Sequence, residues 1–300
     1  MAAAPQEITF NTFDGIKLSA LLFSAGEKRP CIIMSSGFSG LKEHFLPDFA
    51  TQFQSAGYTV LVYDNRCWGS SEGTPRNHVD PQLQTRDYID AFDFTTTLPD
   101  VDPTRIVFWG SSMSGGNVIC AAAIEKRVCA VISQAPFVSG EMASQDFAAI
   151  MPLMLGERGA MRRGAPAALV PVTPETMEEA MSGTSKAILK DPGAIPFIRE
   201  VDRRGYHREK MCTMQSAVAL VLHEPRRNIH RIGPKPLLMV VADSDATIPT
   251  PSQLEMYNLA LEPKRLYVLT GAGHFDLYYG EPFEKNISAQ LNFLKEFVGS

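Results

Sequence analysis

The stretch Arg105-Ile-Val-Phe-Trp-Gly-Ser-Ser-Met-Ser-Gly-Gly116 decides how the rest of the chain is read. An apolar run fit for a buried strand ends at Trp109, a tight turn follows, and a segment rich in small residues opens a helix over Met113 to Lys126. A hydroxyl carried at the apex of a strand-to-helix turn needs small residues two positions before and two after it, because the chain there passes close to itself. Gly110 and Ser114 meet that need around Ser112. The helix N-terminus directs free backbone N–H groups and positive partial charge toward the same place, where an oxyanion would be stabilised. A glycine-rich turn of this kind also serves nucleotides, but no phosphate-binding lysine follows it and the first strand-to-helix turn lacks the dinucleotide fingerprint.

Outward from this turn, strands and helices alternate. Glu7 to Phe13 and Lys17 to Phe23 form an opening hairpin about Asp14-Gly15. Strands follow at Cys31 to Ser35, Thr59 to Tyr63, Arg105 to Trp109 and Val128 to Ser133, separated by helices at His44 to Ala56, Leu83 to Thr96 and Met113 to Lys126. The pattern returns with strands Leu237 to Val241 and Leu266 to Leu269 and helices Ser252 to Leu261 and Phe283 to Val298. Such alternation predicts an α/β fold with a mostly parallel sheet and helices on both faces. Between residues 137 and 232 the periodicity changes, and Pro, Arg and Met become frequent. This predicts a helical cap, residues 137–232, inserted into a core domain made of residues 1–136 and 233–300.

A serine hydroxyl is a weak nucleophile without a base, so Ser112 calls for a histidine and a carboxylate. His274, in Thr270-Gly-Ala-Gly-His-Phe275, sits in a glycine-rich loop after a late strand, unlike the other five of the six histidines. The preceding strand ends in Val241-Ala-Asp-Ser-Asp-Ala-Thr-Ile-Pro249, which offers both Asp243 and Asp245.

With these residues in place the chain resembles the α/β-hydrolase superfamily. The usual Gly-any-Ser-any-Gly is varied by Ser114 in its last position, with Gly115 directly after it. The resemblance implies the order nucleophile, acid, base, and selects Asp245, four residues before Pro249, as the acid. It implies an oxyanion hole formed by the N–H of Met113 and one from Ser35-Ser-Gly-Phe-Ser-Gly40, for which Phe38 is the candidate; many relatives carry His-Gly where this chain has Ser36-Gly37. Tyr63-Asp-Asn-Arg66 resembles the superfamily's strand-end Asp and Arg, which there brace loops. Three stretches, 36–45, 101–139 and 225–251, resemble a subgroup of fungal polyketide-pathway hydrolases and polyketide transferases. That likeness implies an ester or thioester of polyketide type in secondary metabolism, with an acyl carrier protein or CoA as its carrier. A Claisen-type condensation on the same triad, or a non-catalytic ligand-binding protein on the same fold, stands as the alternative.

The remaining expectations concern the pocket and the chain as a whole. His44, Phe137, Met151 and Met154 are the candidate substrate-binding residues. Eight of the thirteen methionines lie within 137–232, where their flexibility suits either an adaptable pocket or ordinary helix packing. The arginines there, among them Arg158, Arg203, Arg204 and Arg226, read as a solvated face or as a dock for an anionic carrier. With a net charge of −5 and 45% apolar residues, nucleic acid is disfavoured as a partner, and no run of eighteen apolar residues suggests a membrane span. Five cysteines without metal-ligand spacing suit reduced, packed thiols in the cytoplasm. No cofactor and no metal is expected, and a homo-oligomer stays open.

Overall fold

The computed structural model describes residues 4–299. In chain order the elements are β1 (Gln6–Asn11), β2 (Lys17–Phe23), β3 (Arg29–Ser35), α1 (Leu46–Ser55), β4 (Thr59–Tyr63), α2 (Pro81–Thr95), β5 (Val101–Ser111), α3 (Met113–Ala122) and β6 (Ala130–Gln134). After β6 come α4 (Gly140–Phe147), α5 (Met151–Arg162), β7 (Leu169–Pro171), α6 (Met177–Met181), α7 (Ala194–Arg203), β8 (Met211–Thr213) and α8 (Gln215–Val221). The chain closes with β9 (Leu237–Ala242), α9 (Thr250–Leu259), β10 (Lys264–Leu269) and α10 (Gly280–Phe297).

Eight strands make one sheet in the order β1-β2-β4-β3-β5-β6-β9-β10. Strand β2 is antiparallel to both β1 and β4, and every later pairing in the sheet is parallel. The central strands β4, β6 and β9 are buried at every position, as continuous apolar runs must be when helices cover both faces. Alternate residues then separate into two cores. Ile33, Leu61, Phe108 and Val131 pack with Tyr88 and Phe92 of α2, Val118 and Ile119 of α3, and Met256 of α9. On the other face Ile32, Val60, Trp109 and Ile132 pack with Phe49 and Phe53 of α1 and Phe293 and Leu294 of α10.

Among the sequence expectations that shift, three have a clear physical reason. Strand β1 stops at Asn11, leaving Phe13 exposed at the turn, because Thr12 accepts the Ile16 N–H on its hydroxyl and hydrogen bonds Asp14, closing the turn early. Helix α1 begins at Leu46 rather than at His44, because Phe45 takes a left-handed φ of 57° that no helix interior allows. Third, the region 137–232 is helical but also contains an antiparallel ribbon of β7 and β8. Each of its strands has only three residues, too short for alternation to register in the sequence.

Candidate active site

Strand β5 runs two residues past its predicted end and delivers Ser112 at the carboxyl edge of the sheet. Ser112 has φ 59° and ψ −121°, a strained conformation for a residue with a Cβ. Neighbours hold it there: its N–H donates to Gln134 O at 2.8 Å and its carbonyl accepts from Phe137 N at 2.9 Å. The need for small flanking residues is literal. A Cβ on Gly110 would lie 2.1 Å from Ser114 O, and one on Gly37 would lie 2.9 Å from the Ser112 Cβ. Serine is tolerated at 114 because its side chain is turned away to donate to Ser36 O.

Ser112 Oγ lies 2.9 Å from His274 Nε2, and His274 Nδ1 lies 2.8 Å from Asp245 Oδ2. An ionised carboxylate only accepts, so the imidazole carries its proton on Nδ1 and presents a lone pair to the serine hydroxyl. Asp245 is itself held: Oδ1 accepts from Thr247 N at 3.0 Å and Ile248 N at 2.7 Å, and Oδ2 accepts from Gln253 Nε2 at 3.0 Å. The other candidate acid does something else. Asp243 accepts N–H groups from Gly271 and Ala272, the loop that carries His274. The Gly271 N–H, followed by smaller contributions from Ser244 and Ala272, holds its carboxyl below the usual range.

Facing Ser112, the Met113 N–H belongs to the first turn of α3, which lacks intrahelical acceptors. The Phe38 N–H has no backbone acceptor among the described residues. The loop bearing Phe38 is fixed from below, since Ser36 O accepts from both Asn65 Nδ2 and the Ser114 hydroxyl, while the Ser36 hydroxyl donates to Leu41 O. Asp64 accepts from Lys42 N at 2.7 Å, Lys42 Nζ at 2.8 Å and Ser70 N at 3.0 Å. Arg66 forks between Asp87 and Asp14. Burial, outweighing Lys42, lifts the Asp64 carboxyl above its ordinary value. Both residues brace loops.

A cavity opens over Ser112, Gly37, Phe38 and His274. Its far wall comes from the 137–232 segment: Val172, Thr173, Leu189, then Phe197, Ile198 and Val201 of α7, with Arg208 and Glu209 at one side. His44 lines it too. It is buried, accepts from Leu41 N on Nδ1, and donates from Nε2 to His207 O at 2.6 Å. Burial pushes its pKa down, so it is neutral near pH 7. Phe137, Met151 and Met154 do not line this cavity: Met154 is buried, and all three belong to or pack against the apolar cluster that also holds Phe38, Met113 and Val172. Sequence reading missed α7, whose buried Ile195, Ile198 and Val201 show a helical spacing but carry no mark of what they face. Some of these arginines find carboxylates on this chain: Arg203 and Arg204 pair with Glu200, Arg204 also with Asp48, and Arg226 with Glu255. Among the described residues no group of three or more His, Cys, Asp or Glu is arranged to hold a metal ion, and no helix is long and apolar enough to cross a membrane.

A strand-to-helix serine, a histidine from the loop after the last strand and a carboxylate from the loop before it stand together on one sheet edge. The model of the alpha/beta hydrolase family matches residues 32–285. The chain belongs to the alpha/beta hydrolase family. Relatives within it are similar over almost the whole length. A thiohydrolase of Eupenicillium brefeldianum is 31% identical over 295 residues, 98% of this chain and 94% of the relative. The quorum-quenching protein AidA of Acinetobacter baumannii is 32% identical, over 98% of this chain and 96% of its own. The crystal structure of the alpha/beta hydrolase GrgF from Penicillium sp. sh18 superposes with a TM-score of 0.87 at 30% identity, covering 99% of this chain and 100% of that one. With relatives named as thiohydrolases and polyketide transferases, this alpha/beta hydrolase is an enzyme.

Proposed function

We propose that the protein is a serine-nucleophile acyl-transfer enzyme, with Ser112, His274 and Asp245 as its triad, acting on an ester or thioester through a covalent acyl-enzyme. The observation that carries this reading is the pair of contacts at 2.9 Å and 2.8 Å linking Ser112, His274 and Asp245. As Ser112 Oγ attacks the acyl carbonyl, its proton passes to His274 Nε2, and Asp245 stabilises the imidazolium without being protonated. The oxyanion accepts from Phe38 N–H and Met113 N–H, each worth about two to three orders of magnitude in rate. Collapse breaks the bond to the leaving thiolate or alkoxide, which takes the proton from His274. A second nucleophile gives its proton to His274, attacks the acyl-serine and regenerates the Ser112 hydroxyl.

The substrate we infer is a polyketide-type acyl group on an acyl carrier protein or CoA. The relatives named thiohydrolase and polyketide transferase support this, as does an apolar wall of Val172, Leu189, Phe197 and Ile198 able to receive an acyl chain. Residues 137–232 act as the cap that closes the acyl site. Five free cysteines support residence in a reducing compartment, the cytoplasm. The test is labelling with a fluorophosphonate. Modification should fall on Ser112 and vanish in Ser112→Ala, and labelling that persists in that variant would reject the assignment.

A further inference from the structure

The residue just before the proposed nucleophile enters a buried polar chain that the mechanism above does not use. Trp109 Nε1, which can only donate, is 2.7 Å from Gln290 Oε1. That fixes the Gln290 amide, so its Nε2 faces Gln134 Oε1 at 3.1 Å and Asn286 Oδ1 at 2.7 Å. Gln134 Oε1 also accepts from Asn286 Nδ2 at 2.6 Å, which turns Gln134 Nε2 toward Ser111 Oγ at 3.0 Å. Ser111 Oγ in turn lies 2.6 Å from the Tyr278 hydroxyl. Every amide in the series is therefore oriented by one indole N–H, and the series ends on a phenol whose ring lines the cavity. Burial lifts that phenol's pKa to about 12, with the Ser111 hydrogen bond opposing the rise, so it stays neutral.

Ser111 immediately precedes Ser112, and Tyr278 lies four residues after His274 in the same turn. The Ser111–Tyr278 bond is thus a second tie between the two segments that the Ser112–His274 bond joins. The turn is pinned once more where Leu277 O accepts from Asn286 Nδ2 at 3.1 Å, and the Tyr278 ring packs against Phe197 and Phe49. The strand-to-helix turn at Ser112 is held by the same hub residue, because Gln134 O accepts the Ser112 N–H.

We infer that Tyr278 is a positioning residue: through Ser111 it sets the separation of the Ser112 hydroxyl and the His274 imidazole. This rests on the acyl-transfer reading above. The chain costs nothing in burial of charge, since every group in it is neutral, and it fixes distance where an error near 1 Å can cost about a hundredfold in rate.

Tyr278→Phe keeps the ring and the cavity wall and removes only the tie. With a soluble acyl thioester, kcat should fall about ten- to a hundredfold with KM within twofold, and Ser112 should label with fluorophosphonate to full stoichiometry but more slowly. Ser111→Ala should act alike, and the double variant should be no slower than the slower single one. Rates are taken per labelled site, so a variant that merely loses folded protein shows lower stoichiometry and an unchanged rate; that result overturns the inference. Unchanged kcat, a change confined to KM, or multiplying effects in the double variant overturn it too. Failure of wild-type Ser112 to label would instead overturn the acyl-transfer reading itself.

Discussion

At the sheet edge Asp245 has backbone and amide donors on both of its oxygens, Gly37 is pressed against Ser112, and Ser36 O takes two donors. Across the cavity the wall contributed by 137–232 is made mostly of aliphatic and aromatic side chains from α7 and the loops around it. The first region fixes atoms by directional bonds of short reach. The second fixes only a volume, because apolar contact has no preferred direction. The difference teaches that the chemistry and the choice of substrate are held by separate physical means, and a substitution on one side should leave a distinct kinetic signature from one on the other.

The largest break of that contrast is His274→Ala. It removes the proton acceptor of Ser112 while the sheet beneath stays intact, so kcat should fall by about six orders of magnitude. Circular dichroism and melting should remain close to wild type. A loss of less than tenfold would reassign the base and dissolve the claim that the sheet edge carries the chemistry.

The two regions also differ in how far the sequence disclosed them. Strands β4, β6 and β9 are largely apolar runs, and the strand-to-helix turn at Ser112 announces itself because Gly110 and the residues after Ser112 answer a steric need that few residue types satisfy. His274 was legible from its glycine-rich loop. Asp243 and Asp245 were not separable by residue type or spacing within the chain; resemblance pointed to Asp245, and only the fold reveals that Asp243 is occupied with Gly271 and Ala272. The cavity wall was the least legible part. Phe137, Met151 and Met154 were reasonable apolar candidates, but which face of a helix meets the cavity depends on how the path from β6 to β9 folds back. No local pattern encodes that path. His44 follows the Phe38 loop in sequence, but its burial against His207 O and the left-handed Phe45 after it depend on tertiary packing that the residue type does not encode.

A substitution on the far wall should sharpen the contrast with a smaller and different effect. Phe197 packs against Phe45, Phe275 and Tyr278. Phe197→Ala widens the cavity without touching a hydrogen bond of the triad. Across a panel of acyl thioesters, kcat/KM for bulky acyl groups should rise about tenfold relative to short ones, with kcat for the best substrate within a few-fold of wild type. A uniform drop in kcat on every substrate would mean that the wall also positions the triad, against the division argued above.

The smallest effect is expected where the far wall is held by charge. Arg208, which lines the cavity, forks onto Glu175 at 2.8 Å and 2.7 Å, and Lys210 Nζ joins at 3.1 Å. The Arg208 hydrogen bonds, ahead of opposing desolvation and the Lys210 contribution, pull the Glu175 carboxyl down to about 2 from 4.5. A carboxyl whose folded pKa lies below its unfolded one stabilises the fold above the unfolded value, and the gain is lost as pH falls through the folded one. The window therefore runs from about 4.5 down to about 2. Glu175 is 41% exposed, so water screens the pair and the contribution is small. Glu175→Gln should lower the melting temperature by about 1–2 °C at pH 7, and the gap to wild type should narrow as pH is taken from 4.5 toward 3. A gap that widens in acid would mean that the carboxylate is not what holds Arg208 in the wall. Unchanged kcat with a shifted KM in the same variant would keep charge on the side of substrate choice, leaving the chemistry to the sheet edge.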